Sequence, residues 1–178
     1  MIEVSGRVSP ARLSAAASLV RRAQLEGETT AWIQPSTGGL FPPDLAAAGV
    51  DLEALVVIHA PIDRGVQALL QAAEWLLRSG AYGLVVVDLC GQRSPRGDAW
   101  QARLCALARQ HQSRVVVITQ SDDHEGSLGP LVGLRVAPRR SPPHVGLCRL
   151  DVQILKNKSG APLTIRPESW RAPTGLEG

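Results

Sequence analysis

Ala81-Tyr82-Gly83-Leu84-Val85-Val86-Val87-Asp88 sets four aliphatic residues in a row and closes them with a carboxylate. An aliphatic run without polar alternation predicts a strand buried on both faces, and such strands occur almost only in parallel sheets covered by helices. The stretch is therefore expected at the centre of an α/β sheet. Open parallel sheets bind ligands at the carboxyl ends of their strands, which makes Asp88 the first candidate site residue.

The flanking sequence alternates between strand and helix signals. On the amino-terminal side, Ile2-Glu3-Val4 predicts a short strand and then a loop. Leu13, Ala16, Ala17 and Val20 follow at helical spacing. Thr29-Thr30-Ala31-Trp32-Ile33 predicts a second strand. Residues 35–43, with three Pro and two Gly, predict a loop, and Asp44 to Ala48 a short helix. Leu55-Val56-Val57-Ile58 predicts another buried strand, ending at His59. Asp63 is placed to cap a helix that carries Val66, Leu69, Leu70, Ala73, Leu76 and Leu77 on one face and stops at Gly80.

Beyond the central strand come a basic loop from Gly91 to Gly97 with Arg93 and Arg96, a helix capped by Asp98, and a buried strand from Arg114 to Thr119. This alternation implies right-handed crossovers and a doubly wound sheet. The pattern then changes: Cys148 to Ile154 alternates apolar and polar with period two, and Leu134-Arg135-Val136 hints at the same. Lys156-Asn157-Lys158-Ser159-Gly160 predicts a turn into Leu163-Thr164-Ile165. The expected fold is α/β, a mostly parallel twisted sheet flanked by helices with antiparallel edge strands at its carboxyl-terminal end. One domain is expected over residues 1–166, with a loose tail over residues 167–178.

A chain of 178 residues, 44% hydrophobic and 20% charged, can bury a core without metal or disulfide staples. Cys90, Cys105 and Cys148 are odd in number and lack a CxxC pair, which fits buried thiols in a reducing compartment. No apolar run approaches the ~20 residues of a membrane span, so a cytoplasmic location is expected. Aromatic content of 3% leaves few rings for stacking bases, while a net charge of +3 is compatible with weak DNA contact.

The first strand-loop-helix has the layout of a P-loop, in which backbone amides cradle phosphate, a Lys reaches the outer phosphates and a Ser or Thr holds magnesium. In Gly6-Arg7-Val8-Ser9-Pro10-Ala11-Arg12-Leu13 only the first glycine remains. Pro10 removes an amide donor, Ala11 replaces a glycine, Arg12 stands for Lys, and Leu13 has no hydroxyl. Ser14 offers a hydroxyl one residue late.

The chain resembles the core of the RecA recombinase family, and more closely its degenerate bacterial relatives, the ImuA-type and SulA-type DNA-damage-response proteins. The likeness is carried in order by Gly49-Val50-Asp51-Leu52-Glu53-Ala54-Leu55, Arg78-Ser79-Gly80-Ala81 leading into Val85-Val86-Val87-Asp88, Gln101-Ala102-Arg103-Leu104, Ile118-Thr119-Gln120 and Lys156-Asn157-Lys158. The resemblance implies that Asp88 corresponds to the acid that orients magnesium, and that Gly6, Arg12 and Ser14 are the remnant of the phosphate loop. Active recombinases carry an acidic run after the second strand. Here it reads Gln34-Pro35-Ser36-Thr37, so no cofactor and no catalysis are expected.

The family's two DNA-binding loops correspond to residues 91–97, which keep Arg93 and Arg96, and to a stretch opening Gln120-Ser121-Asp122-Asp123-His124-Glu125, whose charge opposes phosphate. Candidate partner or nucleic-acid contacts are Arg93 and Arg96; the late basic cluster of Arg135, Arg139 and Arg140, together with Arg149; Lys156 and Lys158, which match lysines that cross a filament interface; and Trp170. The expected role is a non-catalytic accessory factor of SOS mutagenesis. By that resemblance it binds a translesion polymerase-like protein and the RecA recombinase. The alternatives are a nucleotide-binding or weakly hydrolysing ATPase with DNA contact, and a SulA-like inhibitor of cell division.

Overall fold

The aliphatic run forms β4 (Leu84–Asp88), and all five of its residues are buried. Its side chains alternate between two cores: Leu84 and Val86 face one, Val85 and Val87 the other. The computed structural model describes residues 1–7, 11–141, 147–160, 165 and 167–171. Around β4 lie β1 (Ile2–Val4), α1 (Ala11–Leu25), β2 (Thr30–Pro35), α2 (Pro42–Ala47), β3 (Leu55–Ala60), α3 (Gly65–Ser79), α4 (Ala99–Gln110), β5 (Arg114–Ile118), β6 (Leu134–Arg140), β7 (Leu147–Asn157) and β8 (Glu168–Arg171). They build one sheet in the order β3-β2-β4-β5-β1-β6-β7-β8. Pairing is parallel from β3 through β6 and antiparallel for β6-β7 and β7-β8.

Helix α1 covers one face with Ala11, Ala15, Ala16, Ala17, Val20 and Ala23, small side chains that let its backbone lie close to the strands. Helices α3 and α4 cover the other, using Leu69, Leu70, Ala73, Leu77, Leu104 and Ala108. Helix α3 ends as expected at Gly80, which takes φ +69°, a left-handed conformation that glycine adopts without a Cβ penalty.

Several expectations are corrected. Asp63 does not cap α3: it sits in a 3-10 turn over Ile62–Arg64, and Arg64 occupies the capping position without a side-chain hydrogen bond. The aliphatic run of β3 marks the sheet edge, and Val56 is 40% exposed there, because an aliphatic run does not distinguish an outer strand from an inner one. His59 is exposed on that edge. Lys156 and Asn157 lie within β7 and not in a turn. The predicted loose tail supplies β8, whose Glu168–Arg171 pair with β7 and prolong the sheet. Of the predicted strand at residues 163–165, residues 163 and 164 lie outside the described residues.

The largest correction concerns Arg135, expected as an exposed partner or nucleic-acid contact. Strand β6 pairs on one side with β1, and the register sets Glu3 opposite Arg135. Glu3 is fully buried and Arg135 is 2% exposed, with Nε of the arginine 3.6 Å from Oε1 of the glutamate. Removing one member of a buried pair strands the other's charge, at a cost of about 3–5 kcal/mol. Arg135→Leu is expected to lose stability in that range in urea unfolding. The double variant Glu3→Leu/Arg135→Leu should cost less than the sum of the single changes.

Candidate functional site

The carboxyl ends of β1, β4 and β5 converge on Asp88, which is 5% exposed. Its Oδ1 accepts the Cys90 amide at 2.8 Å, closing a tight turn at the strand end. Cys90 takes φ +45°, an uncommon conformation for a residue with a Cβ. Burial, and then the neighbouring Asp88, push its thiol up to about 12, so at neutral pH it is a protonated group that donates to the carboxylate.

Arg12 enters this corner from the first turn of α1. Its Cγ and Cδ lie 3.6 Å from where a Cβ on Gly6 would stand, and its Nη1 donates to the Thr119 carbonyl at 3.0 Å. The guanidinium thus bonds the protein's own backbone at the end of β5, close enough to Asp88 to favour the carboxylate. Leu13 packs against the α1 core, and Ser14 is half-buried one position on. The structure brings Gly6, Arg12 and Asp88 together. Residues 8–10, the middle of the expected phosphate loop, lie outside the described residues.

On the next strand, Gln34 stands where the resemblance called for a nearby carboxylate. It is 1% exposed, its Oε1 accepts the Leu40 amide at 3.3 Å, and its Nε2 finds no partner among the described residues. Gly38 lies so close that an added Cβ would stand 2.3 Å from the Gln34 amide carbon. The 35–40 loop is thereby folded onto Gln34.

The two loops that follow β4 and β5 differ sharply. Arg93 and Arg96 are exposed and form no ion pair or side-chain hydrogen bond among the described residues. The loop of residues 119–133 is held from several sides. Arg135 donates to the Glu125 carbonyl and, at 2.7 Å, to that of Asp122; Glu3 accepts the Thr119 hydroxyl at 3.0 Å and the Leu128 amide at 2.8 Å. Lys156 reaches Ser127 Oγ at 2.7 Å and the Gly129 carbonyl at 3.1 Å, and Lys158 the Pro130 carbonyl at 2.7 Å. Gln101 donates to the Leu128 carbonyl at 2.9 Å, and Arg139 and Arg7 pair with Asp123 and Asp122 at 2.8 and 2.7 Å.

Four cations expected to meet an outside partner therefore meet this loop. Arg135, Lys156 and Lys158 are bound to it within the chain, and Arg139 is exposed but paired with it. Arg140 is half-buried, and Arg149 pairs with Asp151 at 2.9 Å. The backbone of Trp170 pairs with Cys148 in the β7-β8 ladder, while its side chain lies outside the described residues. Sequence reasoning missed Glu3 and Ser5, the latter accepting Arg135 Nε at 3.1 Å. The available signal was a glutamate between Ile2 and Val4: in a strand flanked on both sides, such a residue must be buried and needs a cation.

No family profile matches the chain. Curated RecA proteins do: that of Saccharopolyspora erythraea is 37% identical over 98 residues, and that of Kineococcus radiotolerans 30% over 131 residues. These alignments cover 55% and 71% of this chain but 27% and 36% of the two relatives, so the chain spans about a third of the RecA proteins it matches. The crystal structure of SulA from Pseudomonas aeruginosa superposes with a TM-score of 0.52 at 22% identity, over 66% of this chain and 94% of that one. The chain is thus similar in part of its sequence to RecA proteins and in fold to SulA. The Asp88 corner of this RecA-like domain corresponds in position to the end of a central strand, where the fold class collects its ligands.

Burial raises the Asp88 carboxyl above its ordinary value, against the pull of the Cys90 hydrogen bonds and of Arg12. A folded pKa above the unfolded one means that the folded state holds the proton more tightly. The resulting stability is complete below the unfolded value of ~3.9 and is lost as pH rises through the folded value. Asp88→Asn keeps an acceptor for the Cys90 amide and removes the titration. In thermal unfolding it should melt above the wild type near neutral pH and converge with it as pH falls below about 4. A lower melting point at neutral pH would show instead that the carboxylate is needed.

Proposed function

We propose that this RecA-like domain is a non-catalytic accessory factor of the bacterial DNA-damage response that works by binding other proteins, in the manner of an ImuA-type component of mutagenic translesion synthesis. The observation that carries this reading is the commitment of Arg12. A phosphate loop needs a free cation, a hydroxyl for magnesium and a nearby carboxylate to activate water. Here the cation is bonded to the Thr119 carbonyl, Leu13 packs against the core, and Gln34 stands beside the strand end as a neutral amide. The described residues of this corner do not fit a magnesium-nucleotide.

The clamped 119–133 loop supports the same reading, because Arg135, Lys156 and Lys158 are spent on its backbone carbonyls. The partners proposed are a translesion polymerase-like protein and the RecA recombinase. The resemblance supplies them, and the RecA and SulA likenesses support a place in the damage response. A second reading, a SulA-like inhibitor of cell division, draws on the superposition over 94% of the SulA chain.

Two measurements decide among these. Calorimetric titration with ATP and magnesium should give no binding heat up to millimolar nucleotide, with or without single-stranded DNA. Saturable binding or hydrolysis that Asp88→Asn abolishes would overturn the non-catalytic reading. Affinity capture from DNA-damaged cells should recover a polymerase-like protein, whereas recovery of the division tubulin homologue would establish the second reading.

A further inference from the structure

The net charge of +3 is unevenly placed. Arg7, Arg22, Arg114, Arg139 and Arg149 each stand within ion-pair distance of a carboxylate. Of the exposed arginines with no such partner among the described residues, Arg21 lies on α1 and four lie elsewhere: Arg64, Arg93, Arg96 and Arg109. These four surround α3 and α4: Arg64 just precedes α3, Arg93 and Arg96 lie in the loop before α4, and Arg109 is in its last turn. That loop folds against the start of α3, with Gln92 Oε1 3.9 Å from a Cβ built on Gly65. On the same side Arg78 and Arg103 share a single glutamate, Glu74, at 2.6 and 3.2 Å. Asp63 and Asp98 are the other carboxylates there, and the amino-terminal turns of both helices add to the positive field.

A groove of about 290 Å³ runs between the two helices. Leu70, Leu104 and Trp100 give it apolar walls, and Gln71, Glu74 and Arg103 its polar rim. The Trp100 indole Nε1 is buried and has no acceptor among the described residues, although a buried donor is normally satisfied. Beside the groove, Trp75 is 61% exposed on α3. Exposed tryptophan and arginine around an apolar cleft are the residue types that dominate protein interfaces.

We propose that the α3–α4 face is a docking surface for an acidic amphipathic segment of a partner protein. An apolar side chain of that segment fills the groove, one of its oxygens accepts the Trp100 N–H, and its carboxylates meet Arg93, Arg96 and Arg103. A second copy of this chain does not fit, because arginine would face arginine. A nucleic acid fits less well than a peptide, since Asp63, Glu74 and Asp98 are interspersed among the arginines and the groove walls are apolar. The proposal rests on the reading that the protein acts by binding other proteins, and it names the face and the chemistry.

The test follows the indole N–H signals of Trp75 and Trp100 by NMR. The probe is a synthetic amphipathic Glu/Leu peptide, and the rivals are its Lys/Leu counterpart and a single-stranded oligonucleotide. The Glu/Leu peptide should shift both signals. Binding should weaken by about tenfold in Arg93→Glu/Arg103→Glu, as expected for charge reversal at an interface, and several-fold in Trp100→Phe, which keeps the ring and drops the donor. Signals unmoved at millimolar peptide, equal shifts with the Lys/Leu peptide, an oligonucleotide that acts at lower concentration, or wild-type affinity in both variants would each overturn the proposal. If the wild-type and charge-reversed chains capture the same cellular partner equally, this face is wrong while the accessory reading stands. ATP hydrolysis would sink that reading without moving the indole signals.

Discussion

The buried pair of Glu3 and Arg135 joins the two halves of this fold. Glu3 sits in a three-residue strand between β5 and β6, and Arg135 stands opposite it on β6, the strand at which parallel pairing gives way to antiparallel. Two charges removed from water are tolerated only when their remaining hydrogen-bonding capacity is filled. Thr119, Ser5 and the backbone of residues 122–128 fill it. The pair therefore sets the sheet order and the shape of the 119–133 loop at once. Lys156 and Lys158, arriving from β7, complete the clamp only because β7 is registered on β6.

A second consequence falls on the phosphate corner. Thr119 is shared: its hydroxyl belongs to Glu3, and its carbonyl to Arg12. Arg12 is thereby held at the end of β5. Asp88, buried and bonded by Cys90, closes the end of the central strand as a structural acceptor. On the reading proposed above, function lies on surfaces away from the carboxyl edge of the sheet, and the unpaired arginines around α3 and α4 mark one such surface.

Much of this was legible in the sequence because periodicity reports burial. Leu84 to Asp88, the α3 face and the antiparallel finish each follow from the spacing of apolar residues. Which strands are neighbours was not legible. Without knowing that β1 lies between β5 and β6, Glu3 reads as ordinary and Arg135 as solvated. The fates of Lys156, Lys158 and Arg139 depend on the same long-range register. The edge position of β3 and the strand at Glu168–Arg171 were hidden for a related reason: an isolated short run does not specify its partner. The α3–α4 groove places Trp100 beside unpaired arginines, which the helical spacing alone did not reveal.

The central claim is that the 119–133 loop is locked by the chain's own cations, independently of any nucleotide. Hydrogen exchange followed by mass spectrometry tests it most directly, comparing that loop with β6 in the free protein and after addition of ATP, magnesium and single-stranded DNA. The Leu128 amide, bonded to Glu3, should exchange on the timescale of β6, and the ligands should change nothing. A loop that exchanges freely and becomes protected on adding nucleotide would contradict it.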